Sequence, residues 1–164
     1  MRIFITGKPG SGKTTLVRKL TSYLLEKEIR VTGFYTEEMR TGGKRTGFKL
    51  TTVPDGKIDI LASIKPPGIP FGRYFVKIEG IAKGIDAIRR EGDLYIIDEI
   101  GPMEMKHPDF IPSINNILES ENNLIAVVQR KMTHIAREGE EIYQLTRENR
   151  DRLFGKLKKE FNVE

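Results

Sequence analysis

Cysteine is absent from the 164 residues, and so is tryptophan. Without cysteine there can be no disulfide, no thiolate nucleophile and no Cys-bound zinc. Histidine occurs twice, as His107 and His134, without the close spacing of metal ligands, so a His-built metal site is not expected. No apolar run approaches the about 18 residues of a membrane helix, which predicts no membrane span. Met1-Arg2-Ile3 leads straight into an apolar segment without signal-peptide layout, and the expected location is the cytoplasm. There are no repeats, no low-complexity tracts and no linker long enough to separate domains, so residues 1–164 are expected to form one domain.

Charge is what the chain has in plenty. Charged residues make up 31% against 38% hydrophobic, which predicts a globular protein with a densely charged surface. Abundant Lys, Arg and Glu with few amides resembles thermophile usage. The net charge of +5 is dispersed, and its densest patch is Arg150, Arg152, Lys156, Lys158 and Lys159. On a helix from Glu148 to Phe161, Leu153, Phe154, Leu157 and Phe161 form the apolar stripe. The basic residues then read first as its solvated face and second as a nucleic-acid contact.

Chemistry enters at Gly7-Lys8-Pro9-Gly10-Ser11-Gly12-Lys13-Thr14, which fits G-x-x-x-x-G-K-[ST] in full. The glycines let consecutive backbone N–H groups converge on phosphate oxygens, and the following helix points its positive end at the same anion. Lys13 is placed to reach the β- and γ-phosphates, and the Thr14 hydroxyl to bind Mg²⁺. The motif needs a buried strand before it and a helix after it. Ile3-Phe4-Ile5 supplies the first; Leu16, Val17, Leu20, Leu24 and Leu25 at helical spacing supply the second.

Far along the chain, Leu94-Tyr95-Ile96-Ile97-Asp98-Glu99 reads as another buried parallel strand ending in two carboxylates. At the carboxyl end of a parallel sheet, Asp98 can hold Mg²⁺ opposite Thr14. Alternation along a strand assigns Glu99 a different task, polarising an attacking water. A glutamate there favours hydrolysis over transfer to an acceptor.

With these residues in place, the chain resembles the small THEP-type nucleoside triphosphatases, a family that includes a cancer-related nucleoside triphosphatase homologue. The resemblance rests on Ile5 to Leu16, Gly33-Phe34-Tyr35-Thr36-Glu37-Glu38-Met39-Arg40, Gly47-Phe48, Ile97-Asp98-Glu99-Ile100-Gly101-Pro102-Met103-Glu104 and Thr146-Arg147-Glu148-Asn149-Arg150. It implies Mg²⁺-dependent hydrolysis of ATP, GTP, CTP and UTP with slow turnover and little base preference. It also implies nucleotide contacts along Gly7, Lys8, Pro9, Gly10, Ser11, Gly12, Lys13, Thr14 and Thr15, and around Leu94, Tyr95, Ile96, Ile97, Asp98, Glu99, Ile100 and Gly101. Pro102 stands where relatives often carry Lys, and residues 52–80 match loosely.

Elsewhere, residues 31–37 read as a second parallel strand, and Thr46–Val53 and Lys57–Ala62 as a hairpin about Asp55-Gly56. Lys65–Gly72 is a Pro/Gly loop, Arg73–Ile78 a returning strand, Ile81–Arg90 and Pro108–Ser120 helices, and Asn123–Gln129 and Glu141–Thr146 strands. The expected fold is a three-layer α/β/α sandwich with a mainly parallel sheet, an antiparallel hairpin extension and right-handed crossovers.

Secondary candidates follow from this layout. Lys8 adds a charge inside the loop, either catalytic or solvated. Gln129 ends a strand, as a γ-phosphate sensor or a plain polar residue. Arg130 or Arg137 could serve as an arginine finger or lie on the surface. Thr36, Glu37 and Arg40 could shape a switch or an acceptor pocket. Asn149 and Arg150 could touch the base, or cap a helix and carry surface charge. The first functional reading is a monomeric NTP hydrolase. Behind it stand a nucleotide or polynucleotide kinase, and a nucleotide-dependent nucleic-acid-binding module.

Overall fold

A computed structural model gives the structure of the protein and describes residues 1–161. Among the described residues, nine strands and four helices follow one another in the order β1 (Arg2–Gly7), α1 (Lys13–Glu26), β2 (Val31–Thr41), β3 (Lys44–Val53), β4 (Ile58–Ser63), β5 (Ile69–Phe71), β6 (Tyr74–Val76), α2 (Ile78–Ile88), β7 (Leu94–Ile100), α3 (Phe110–Glu119), β8 (Asn123–Val128), β9 (Glu141–Leu145) and α4 (Arg150–Phe161). Short 3₁₀ turns at Glu104–Lys106 and Arg130–Ile135 follow β7 and β8.

All nine strands form one sheet in the order β5-β6-β4-β3-β2-β7-β8-β1-β9. The half from β2 to β9 is parallel, and β3, β4, β6 and β5 extend it with antiparallel pairings, β6 lying between β4 and β5. β2 belongs to both halves, pairing parallel with β7 and antiparallel with β3.

The inner strands are apolar on both faces because both faces are covered. Phe4, Tyr95, Ile97, Leu124, Ala126 and Val128 join a core with α2 and α3. Their strand neighbours Ile3, Ile5, Leu94, Ile96, Ile125 and Val127 join a second core with α1 and α4. This is the three-layer sandwich expected from the sequence. Each buried Leu, Ile or Phe contributes roughly 1.5–3 kcal/mol by leaving water.

Several local expectations need correction. Leu25 is 37% exposed; the buried stripe of α1 is Leu16, Val17, Leu20, Thr21 and Leu24. At about 100° per residue, Leu25 lies on the side of the helix opposite Leu16. The strand expected over Arg73–Ile78 stops at Val76, since Lys77 is the N-cap of α2 and Ile78 already helical. Part of the Pro/Gly loop becomes β5 by pairing with β6. The strand expected over 31–37 runs on to Thr41 because β3 pairs with it to the turn, with a bulge at Met39/Arg40.

Candidate active site

β1, β7, β8 and β9 all run parallel, so their carboxyl ends share one edge of the sheet, where such folds bind ligands. Between β1 and α1 the chain curls tightly: Ser11 N–H donates to Lys8 O at 3.1 Å, and Leu16 N–H to Gly12 O at 2.9 Å. Gly12 is the N-cap of α1 at φ 95°, a left-handed conformation that disfavours side chains. No side chain caps that end and no acidic residue stands in its first turn, so its positive end is open to an anion. The Ser11 hydroxyl is buried with no partner. A side chain at Gly7 would meet Leu145 O at 2.7 Å and Ser11 Oγ at 2.8 Å, so the loop closes only over glycine.

Lys13 folds back over this cradle, donating from Nζ to Gly7 O at 2.8 Å and to Lys8 O at 3.1 Å. Burial pushes its ammonium below the ordinary value, while Glu99 and Asp98 pull the other way. Lys8 is exposed, as are Pro9, Gly10 and Thr15.

The carboxylates arrive from β7. Thr14 Oγ1 donates to Asp98 Oδ2 at 2.9 Å. Asp98 is 2% exposed, and burial first, then the charge of Glu99, pushes its carboxyl up to about 8. Thr14 and Lys13 oppose that shift. The Asp98–Glu99 peptide is cis. The register with β8 slips at this point, Asp98 facing Val127 and Ile100 facing Val128. Such a slip re-aims the intervening side chain. Glu99 lies within the influence of Lys13 and is hydrogen-bonded by the Gln129 side chain. Its carboxyl is raised by burial, with Lys13 and Gln129 acting against the rise.

Thr14 and Asp98 present a hydroxyl and a carboxylate, the hard oxygen donors Mg²⁺ takes alongside phosphate and water. Among the described residues no group of three or more His, Cys, Asp or Glu could hold a metal ion. One carboxylate with one hydroxyl suits Mg²⁺ bound chiefly through its nucleotide.

The sequence-derived stretch Leu94–Gly101 narrows here. Leu94, Tyr95, Ile96 and Ile97 are buried in the two cores, and Tyr95 Oη donates to Arg90 O at 2.7 Å. Their side chains, like that of Ile100, pack into the cores; Asp98, Glu99 and Gly101 lie at the carboxyl end of the strand.

Other candidates separate. Gln129 reaches Glu99, and Arg130 acts electrostatically on Lys13. Arg137 lies exposed in the turn before β9, its backbone N–H donating to Glu140 Oε1 at 2.7 Å. Glu37 pairs with Arg18 at 3.5 Å and Arg40 with Glu38 at 2.9 Å, so the pocket expected from Glu37 and Arg40 has its charges paired within the chain. Thr36 is buried. Asn149 is a cap: its Oδ1 accepts from Thr146 N–H at 2.8 Å and its Nδ2 donates to Gln144 O at 2.9 Å. His107 Nδ1 accepts from Asp109 N–H at 3.1 Å, and His134 is exposed.

Two arginines from the segment after β9 lie on the phosphate loop. Arg147 Nε donates to Gly10 O at 3.2 Å. Arg150 packs so closely on Gly12 that a side chain there would meet its Nη1 at 2.6 Å, and its Nε is buried without a partner. Arg150 therefore leaves the solvated face expected for it, because β9 pairs with β1 and delivers the start of α4 to the loop. The rest of α4 follows expectation: Leu153 and Leu157 are buried, while Lys158 covers the Phe154 ring at 4.6 Å.

A family model described as NTPase matches residues 2–158. The nucleoside-triphosphatase THEP1 of Methanocaldococcus jannaschii is 42% identical over 161 residues, covering 96% of this chain and 95% of its own. That of Caldivirga maquilingensis is 48% identical over 126 residues, covering 76% of this chain and 73% of its own. The crystal structure of THEP1 from the hyperthermophile Aquifex aeolicus superposes with a TM-score of 0.85 at 33% identity, over 99% of this chain and 100% of that one. The solution structure of a human cancer-related nucleoside triphosphatase gives 0.80 at 28% identity, over 98% and 97%.

Proposed function

The chain belongs to the NTPase family and is a nucleoside-triphosphate hydrolase, and we propose that its reaction is Mg²⁺-dependent cleavage of the β–γ anhydride of ATP, GTP, CTP and UTP alike, giving nucleoside diphosphate and phosphate. One observation carries the reading: Thr14 bonds Asp98 at 2.9 Å beside the Gly7–Thr14 loop, with Glu99 and Lys13 in mutual electrostatic reach.

Backbone N–H groups of the loop and of the first turn of α1 bind the β- and γ-phosphates. They read phosphate, which every NTP shares, and this supports base tolerance. Lys13 swings from the Gly7 and Lys8 carbonyls to the phosphates and neutralises charge at the leaving oxygen. Thr14 and Asp98 would hold Mg²⁺, which would supply Lewis-acid stabilisation of the charge that develops on the phosphates. Glu99 takes a proton from water as its oxygen bonds the γ-phosphorus and the bridging oxygen departs with the diphosphate. Gln129 beside Glu99, and Arg147 and Arg150 against the loop, are further candidate donors to the same charge, as is Lys8 within the loop. Slow turnover and a monomeric enzyme belong to the same proposal, the first on family resemblance.

Phosphate release from the four NTPs, with and without Mg²⁺, beside Lys13→Ala and Glu99→Gln, tests it. Release from all four that requires Mg²⁺ and falls about 100-fold or more in Glu99→Gln is expected. Unchanged release by Glu99→Gln would remove the water-activating role.

A further inference from the structure

Glu104 is the buried acid that the reaction just described does not use. It opens the 3₁₀ turn after β7, and Met105 N–H to Gly101 O and His107 N–H to Glu104 O, both 3.2 Å, fold that turn back beneath the strand end. It is 2% exposed, and its Oε2 is buried without a hydrogen-bond partner. Among the described residues no Lys or Arg forms an ion pair with it. The backbone N–H groups of Gly101 and of Glu104 itself face its carboxyl.

Its surroundings give it a task. Three side chains converge on Gly101: a Cβ there would stand 3.0 Å from Glu104 Oε2, 3.2 Å from Glu99 Oε1 and 3.5 Å from Gln129 Cδ. Only the missing side chain of Gly101 lets these groups share the space. A buried carboxyl with no cation costs several kcal/mol as an anion, so it stays neutral or acquires a donor. Burial first, then the charge of Glu99, pushes the Glu104 carboxyl well above its ordinary range.

We propose that Glu104 is a positioning residue for hydrolysis: seated on the Gly101 N–H, it holds the Glu99 carboxylate between Gln129 and Lys13, where Glu99 can take a proton from water. The proposal rests on the reading that Glu99 activates water. Glu104 touches neither nucleotide nor water and acts through Glu99. A carboxylate displaced by about 1 Å can lose a large part of its catalytic effect, on the order of 10–100-fold.

A double-mutant cycle on the full chain separates this from a structural role. Single-turnover ATP hydrolysis and labelled-nucleotide affinity are measured for Glu104→Ala and Glu104→Gln, each alone and with Glu99→Gln. Glu104→Ala is expected to slow hydrolysis about tenfold or more with affinity within about twofold, and to add nothing in the Glu99→Gln background. Glu104→Gln, neutral and of the same shape, recovers most of the loss. An equal loss in both backgrounds, a parallel loss of affinity, or no recovery by Gln would overturn the proposal. Should Glu104→Ala not fold, Gly101→Ala is read instead: its methyl presses on the same two oxygens and should slow hydrolysis only while Glu99 is present. If Glu99→Gln alone hydrolyses normally, the water-activating assignment falls first, an outcome distinct from any of these.

Discussion

Thr14 Oγ1 and Asp98 Oδ2 stand 2.9 Å apart, joining the first turn of α1 to the end of β7 across 84 positions of chain. A hydroxyl and a carboxylate held together can supply two of the about six oxygens of an octahedral Mg²⁺ shell. Thr14→Ala should therefore raise the Mg²⁺ concentration for half-maximal hydrolysis by about tenfold or more, ~1.4 kcal/mol, and Asp98→Asn should do the same with a loss of turnover. Mg²⁺ titrations of phosphate release check this; an unchanged midpoint in both variants would take the ion away from these two residues.

Asp98 also sets a pH dependence. Its carboxyl titrates near about 8 in the folded protein against 3.8 ordinarily. Between those values the unfolded chain has given up the proton that the folded chain keeps. The unfolded state then binds fewer protons, so metal-free stability falls as pH rises from about 4 to about 8. Glu99 and Glu104, both raised, act in the same direction. Without the Asp98 carboxyl, Asp98→Asn should show a shallower decline in melting temperature between pH 5 and pH 8, as thermal unfolding without metal would reveal. A decline as steep as in the unsubstituted protein would place its origin in other groups.

Arg150 lies against Gly12 with its Nε buried and unpartnered, so an anion on the loop gains a guanidinium beside it. Arg150→Ala is expected to weaken nucleotide binding by about tenfold, and Arg150→Lys to restore little, because an ammonium lacks the planar fork. Fluorescence titration with a labelled nucleotide at fixed salt measures both. Full affinity in the alanine variant would leave Arg150 as packing alone.

Leu24 provides a contrast, being fully buried at the far end of α1 from Lys13. Leu24→Ala should cost about 2–5 kcal/mol of stability by urea unfolding and leave the hydrolysis rate per folded molecule as it was. A changed rate would mean that packing along α1 reaches the loop.

What the sequence made legible was local. Gly7 to Thr14 carries its geometry in eight adjacent residues, and the apolar run before Asp98 is readable because a strand buried on both faces has few polar positions. The resemblance extended the contacts back to Leu94, where the side chains of Leu94 to Ile97 pack into the two cores. Contacts made by pairing were only half legible. Arg150 reads from sequence as a candidate base contact, but its seat against Gly12, and that of Arg147 on Gly10, follow from the pairing of β9 with β1. Glu104 looks like one more acid in a charged chain until the turn folds it under Gly101. Asn149 and Thr146 spend their side chains capping one another, a use that sequence leaves level with ligand contact.

The sheet order also ties the loop to distant chain. β1, which carries the phosphate loop, is paired not with the strands that follow it but with β8 and β9: Arg2 faces Leu124 and Ile3 faces Glu141. In the sheet Ile3-Phe4-Ile5 therefore stands between two late strands, with β7, β2 and the antiparallel strands all on the far side of β8. The eight-residue loop is local in sequence, but the walls that hold it come from strands more than a hundred positions away.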